Sequence, residues 1–182
     1  MGGAPMKVVA PLFFFILVLG VPMGAQTKVP LTSGFDTFQL GMPLEDLKKA
    51  LKSSTFFVYD GDPDVTLLSR PNTSLIDVTG ITFFSHGVFQ FLDGTLYSIT
   101  LEINPVQLDY FSMYTTLTKK YGDPIALDPS TARWENSQVR LTLERPLSVK
   151  YLDMPRFLAL QKSGTAQQAL QNLTREHFLE NF

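Results

Sequence analysis

Tyr97, Ile99, Leu101 and Ile103 alternate with Ser98, Thr100 and Glu102. That two-residue period marks a half-buried β-strand and limits the fold more sharply than any other feature of the chain. Its upstream partner carries Phe89 and Phe91, across Asp93-Gly94. A two-residue loop would pair Leu92 with Thr95 and send Phe89 and Phe91 away from Tyr97 and Ile99. A loop one residue longer, with Gly94 left-handed as a bulge, gathers all these side chains on one side, so the bulged turn is expected.

A second hairpin follows. With Asn136-Ser137 as its turn, Trp134 faces Val139 and Ala132 faces Leu141, and Leu143 continues that side until Pro146. Ser148–Leu152 is a last strand, with Val149 and Tyr151 inward. Shorter strands are expected at Thr55–Tyr59, Val65–Ser69, Leu75–Val78 and Ile81–Ser85, with Arg70–Ser74 as a loop.

Two helices separate these strands. Leu44, Leu47 and Leu51 share one face of a helix over Leu44–Lys52, with Pro43 in its first turn, Glu45 and Asp46 at the positive end and lysines at the negative end. Asn104-Pro105 is expected to open the second helix, with Tyr110, Met113, Tyr114, Leu117 and Tyr121 as its apolar stripe. Gly122 closes it and Pro124 prevents a restart. The chain ends with a helical Pro155–Lys162, a break at Gly164 and a modest apolar stripe in Thr165–Phe182.

Neighbouring strand runs joined by short turns pair antiparallel. The fold class is therefore α+β: antiparallel sheet with helices packed on one face, and a pseudo-repeat of helix plus β-meander. One domain over 37–182, including a C-terminal helix over 165–182, follows a linker at 26–36.

The first 25 residues set the compartment. Lys7 precedes the apolar run Val8–Leu19, and Gly20–Ala25 gives a small-residue exit before polar Gln26-Thr27-Lys28. This is the layout of a secretory signal peptide, and it favours cleavage over a retained anchor, with Met1 or Met6 as the start. A periplasmic or otherwise extracytoplasmic location follows, with membrane contact only through the N-terminal segment if it is not cleaved.

The chain has no cysteine. Disulfides, thiolate nucleophiles and cysteine zinc sites are therefore excluded, and the exported domain rests on its hydrophobic core. Removing Lys7 with the signal leaves 14 basic against 17 acidic residues. No basic stripe exists to bind nucleic acid.

The stretch Leu40-Gly41-Met42-Pro43-Leu44-Glu45-Asp46-Leu47-Lys48-Lys49-Ala50-Leu51 resembles the Gly-Met-start helix of small bacterial envelope domains of the SmpA/OmlA (BamE-like) group. Tyr121-Gly122-Asp123-Pro124 is similar to the helix-ending glycine-x-proline of that group. The resemblance implies a non-catalytic scaffold that binds another envelope protein, and it assigns no functional residue. A lipid-anchor cysteine is absent, and Pro43 stands where the group has Ser or Thr.

No catalytic, cofactor-binding or metal site emerges. Asp60, Asp62 and Asp64 have the spacing that opens a calcium loop, but Val65 and Pro71 occupy the positions that need Gly and Glu, so a plain turn is expected. Ser85 and His86 are adjacent and point to opposite faces of a strand, so they make no triad. His177 stands apart near the C-terminus. Glu102, Glu135 and Glu144 read as outward strand positions. Tyr110, Tyr114, Tyr121 and Trp134 read as core more readily than as an aromatic groove. Asn72-Thr73-Ser74 and Asn172-Leu173-Thr174 fit a glycosylation acceptor, which matters only in a eukaryotic secretory pathway.

The expected function is that of an exported, non-catalytic envelope protein acting as a protein-binding or scaffold module, with no enzymatic activity and no cofactor. The alternatives are a small apolar-ligand carrier and a carboxylate-dependent hydrolase. Phe38, Leu40 and Met42, with the exposed face of Thr165–Phe182, are the surfaces to test.

Overall fold

The computed structural model describes residues 2–3, 29–61, 65–67 and 72–164, with only the backbone described at 65–67. The leader, Asp62, Asp64, His177, Asn172 and the C-terminal stripe lie outside the described residues.

A small hairpin, β1 (Gly34–Phe35) and β2 (Phe38–Gln39), leads into α1 (Leu44–Lys52). Then come β3 (Phe57–Val58), β4 (Val65–Leu67), β5 (Thr73–Gly80), β6 (Phe84–Leu92) and β7 (Thr95–Ile103). After α2 (Tyr110–Tyr121) the strands are β8 (Ala126–Leu127), β9 (Thr131–Glu135), β10 (Val139–Glu144) and β11 (Ser148–Asp153). A third helix, α3, occupies residues 154–164.

Apart from the β1–β2 pair, the strands form one antiparallel sheet in the order β3-β5-β6-β7-β11-β10-β9-β8, with β4 also on β5. Each half is a helix followed by a meander, and the last strands of the halves, β7 and β11, abut antiparallel. The expected α+β class and pseudo-repeat are thus both present. Leu47 and Leu51 of α1 and Leu117 and Tyr121 of α2 join one core, so both helices lie on the same side of the sheet.

The registers explain the burial. Ile76, Phe89, Ile99, Tyr151, Leu141 and Trp134 lie in one row across five interstrand pairings, and Val78, Gly87, Leu101, Val149, Leu143 and Ala132 lie in the next. Every apolar member of both rows is buried, and they form one core with Leu47 and Leu51 of α1 and Leu117 and Tyr121 of α2. Gly87 leaves room for a ring: a Cβ there would lie 2.7 Å from Cε1 of Phe57. Phe57 stacks on Phe84 at 5.2 Å and meets Phe38 and Phe89 edge-on at 5.8 and 5.9 Å.

Two hairpin expectations are corrected. The β6–β7 turn is the two-residue one: Leu92 pairs with Thr95, and Asp93 and Gly94 both take positive φ (51° and 71°). The extra residue sits inside β7 instead, where Gln90 pairs with Ser98 but Phe91 pairs with Leu96. Shifting the bulge to Tyr97 keeps Phe89, Phe91, Leu96 and Ile99 together and ejects the tyrosine, the most polar member of the expected stripe. A valine at position 94 would be a β-branched residue in the left-handed region. Gly94→Val should therefore lower stability by about 1–2 kcal/mol and weaken the Leu92–Thr95 pairing, read by thermal melting and cross-strand nuclear Overhauser effects.

In the β9–β10 hairpin Trp134 pairs with Leu141 and Ala132 with Leu143, a shift of two residues from expectation. The Asn136 side chain causes it, accepting hydrogen bonds from the Gln138 and Val139 amides at 2.8 Å each, which makes Ser137-Gln138 the loop. A shift of two leaves every side chain on its face, so alternation alone does not detect it.

α2 also starts later than Asn104-Pro105 suggests. Asn104 folds a separate turn by accepting from the Val106 amide at 3.0 Å. The helix cap is Asp109, which accepts from the Ser112 amide at 2.9 Å and its hydroxyl at 2.8 Å. These bonds hold the Asp109 carboxyl below its ordinary value. Pro43 is the N-cap of α1 and stands just before its first turn. Ile81–Ser85 is the β5–β6 turn plus the start of β6, and Thr73-Ser74 already belong to β5.

The expected linker belongs partly to the domain. Leu31 and Phe35 pack on the core, and Thr32 shares a 2.9 Å hydrogen bond with the Tyr121 hydroxyl.

Candidate functional site

The rows between the core rows face the other way. Leu75, Gln90, Ser98, Leu152, Arg140 and Glu135 form one outer row across β5 to β9. Asp77, Val88, Thr100, Lys150, Thr142 and Arg133 form the second, and Thr79, His86, Glu102, Ser148, Glu144 and Thr131 the third.

α3 builds a wall on this outer face. It begins straight after β11, and Asp153 caps it by accepting from the Arg156 amide at 3.0 Å. Phe157 and Leu160 then join Gln90, Tyr97, Ser98, Leu152 and four polar residues around a cavity of about 340 Å³. That size falls within the roughly 300–1,000 Å³ of typical small-molecule sites, at its lower end.

The polar lining is unequally committed. Arg140 donates from Nε to Glu135 Oε2 at 2.5 Å and lies 5.9 Å from the Phe157 ring centre. Lys150 and Glu144 form no ion pair with a described residue. Ser98 is fully buried, and its Oγ has no hydrogen-bond partner among the described residues. A buried, unpaired hydroxyl carries a desolvation cost of about 1–3 kcal/mol.

A smaller cavity of about 230 Å³ is lined by Ser85, Glu102, Ile103, Pro105, Pro146, Leu147 and Ser148. Each of the two cavities thus holds one carboxylate, Glu144 in the larger and Glu102 in the smaller. Glu135 is engaged by Arg140 and, at 3.9 Å, by Arg133. The expected carboxylates all lie on the outer face, but neither cavity gathers two of them. Ser85 donates to the Glu102 carbonyl at 3.3 Å, while His86 Nε2 meets Asp77 Oδ1. Among the described residues no group of three His, Asp or Glu side chains could hold a metal ion.

The aromatic candidates are structural. Trp134 is buried and donates from Nε1 to the Gly122 carbonyl at 2.7 Å, and Tyr114 lies 6.3 Å from its ring. Burial, with the neighbouring Tyr121, pushes the Tyr151 hydroxyl well above its ordinary value. Burial also raises Tyr110, against the opposing effect of Arg145, whose guanidinium lies 4.0 Å from the ring centre.

The surface proposed from Phe38, Leu40 and Met42 is corrected. Phe38 is fully buried, and Leu40 and Met42 pack against the core. Backbone bonds from Gly41 to Leu96 (2.7 Å), from Leu96 to Met42 (2.9 Å) and from Leu44 to Gly94 (3.0 Å) clamp this segment to the start of β7. The Gly-Met-Pro stretch therefore joins α1 to the central hairpin.

Residues 33–163 match the TP0088 domain. The chain belongs to the TP0088 domain family. No curated protein and no solved structure matches it. The matched span runs from β1 almost to the end of α3, so this family domain includes both meanders and the helix that walls the outer cavity. Among the described residues no helix is long and apolar enough to cross a membrane.

Sequence reasoning missed Gln90, Tyr97, Ser98, Arg140, Lys150, Phe157 and Leu160 as a group. The alternation in β7, β10 and β11 places three of them, Ser98, Arg140 and Lys150, on one face. Nothing in that alternation distinguishes a cavity floor from a solvated surface.

Proposed function

We propose that this TP0088 domain protein is an exported, non-catalytic envelope module that works by binding another envelope protein on the outer face of its sheet. The observation that carries this reading is the asymmetry of the sheet. α1 and α2 cover one face with a continuous core, whereas the other is a mostly half-buried polar surface on which α3 leaves a cavity. The apolar leader followed by small residues supports export. The cavity favours a second reading, carriage of a small ligand on the same face.

Site-specific photo-crosslinking in intact cells tests the first reading. A benzophenone side chain at Thr100, in the middle of the outer face, should give one defined adduct in the envelope fraction. The same group at Glu45, on the exposed side of α1, should give none. Equal labelling from both positions, or no adduct from Thr100, would overturn the assignment.

A further inference from the structure

Lys150 and Glu144 are opposite charges that line one cavity without meeting. Lys150 sits across from Thr142, and Glu144 sits across from Ser148, so the two are diagonal neighbours on β11 and β10. Diagonal positions lie about 7–8 Å apart, within reach of long side chains. Each is half-buried and forms no ion pair with a described residue. A ligand that carries the complementary groups would gain a charge-assisted contact from each.

The remaining lining adds an apolar requirement. Leu152, Phe157 and Leu160 form the apolar part of the wall. Arg140 is already engaged by Glu135, so the available cation is Lys150.

We infer that the outer cavity binds a small zwitterion with an apolar body, of the chemistry of a free amino acid or a dipeptide with large apolar side chains. Its carboxylate meets Lys150, its ammonium meets Glu144, and its side chain packs on Phe157 and Leu160. An anion alone would leave Glu144 without a partner, and a cation alone would leave Lys150 without one. The inference rests on the outer face being the working surface, and it adds the ligand class.

Calorimetric titration of the exported protein with L-leucine and with leucyl-leucine tests it. At least one should bind saturably at one site. Lys150→Met and Glu144→Gln should each weaken that binding by about tenfold or more, the loss of one charge-assisted contact. Wild-type protein should bind 4-methylpentanoate, which lacks the ammonium, and 3-methylbutylamine, which lacks the carboxylate, at least about tenfold more weakly than leucine. Circular dichroism verifies that both variants fold. Absence of saturable binding by both zwitterions, equal affinity for 4-methylpentanoate and leucine, or unchanged affinity in both variants would overturn the inference. The two tests fail separately: an adduct at Thr100 without zwitterion binding removes only the ligand, and zwitterion binding without an adduct removes only the protein partner.

Discussion

Phe89→Ala should lower the unfolding free energy by about 3–5 kcal/mol, the usual cost of deleting a buried aromatic ring. Phe89 is fully buried on β6, between Ile76 of β5 and Ile99 of β7. Its ring lies 5.2 Å from Phe38 and 5.9 Å from Phe57. The truncation therefore removes contacts to the sheet, the β1–β2 hairpin and the rings beneath α1 together. Such rings cannot collapse far into the space without leaving their own partners, which puts the cost towards the upper end. Urea unfolding followed by Trp134 fluorescence reads the change as a shift in midpoint. Val88→Ala, one residue away on the outer face, should cost about 1 kcal/mol or less. Equal losses in the two variants would contradict the placement of the core on the helix side.

Gly80→Ala should be strongly damaging although it adds only a single methyl group. A Cβ at Gly80 would lie 2.2 Å from the Phe84 carbonyl oxygen and 2.4 Å from its carbonyl carbon. These are backbone atoms at the start of β6, so relief requires opening the β5–β6 turn. Gly80 also pairs with Phe57 of β3, and the next amide, Ile81, donates to the Phe56 carbonyl at 2.7 Å. Moving either side of the turn disturbs Phe56, Phe57 and Phe84, which pack on one another. The expected loss is about 3 kcal/mol, at the upper end for overpacking, or more. Gly164→Ala is the matched control, since a Cβ there meets nothing within 4 Å. A Gly80→Ala protein that melts at the wild-type temperature would show that this close approach is absent.

How much of this was legible in the residues depends on what each pattern encodes. α1 was readable to its ends because a proline, two acids and the spacing of Leu44, Leu47 and Leu51 all agree. The faces of β7, β10 and β11 were readable for most positions because burial enforces alternation. Tyr97 was not, because a bulge changes the phase of alternation and either of two bulge positions would satisfy the apolar residues. The β9–β10 register escaped for a related reason: the Asn136 side chain chose between two loops that present the same faces.

The candidate site was the least legible part. Lys150, Glu144 and Ser98 look like ordinary outward strand residues. Only the wall at Phe157 and Leu160, set by the direction in which α3 leaves β11, turns that stretch of surface into an enclosure. Phe38 erred in the other direction, because a short hairpin ahead of the first helix gives no periodicity by which to tell a core ring from an exposed one.

The described stretch from Val29 to Gly164 begins and finishes on opposite sides of the sheet. Val29 donates to the Lys120 carbonyl at the end of α2, and Leu31 packs into the core on that side, whereas α3 runs along the reverse of the sheet. A tether to a solid support attached directly before Val29 pulls on the helix-covered flank. The opposite flank then stays turned outward and open to whatever diffuses past. Immobilisation at that point should leave access to it intact, while a bulky fusion after Gly164 would crowd its entrance.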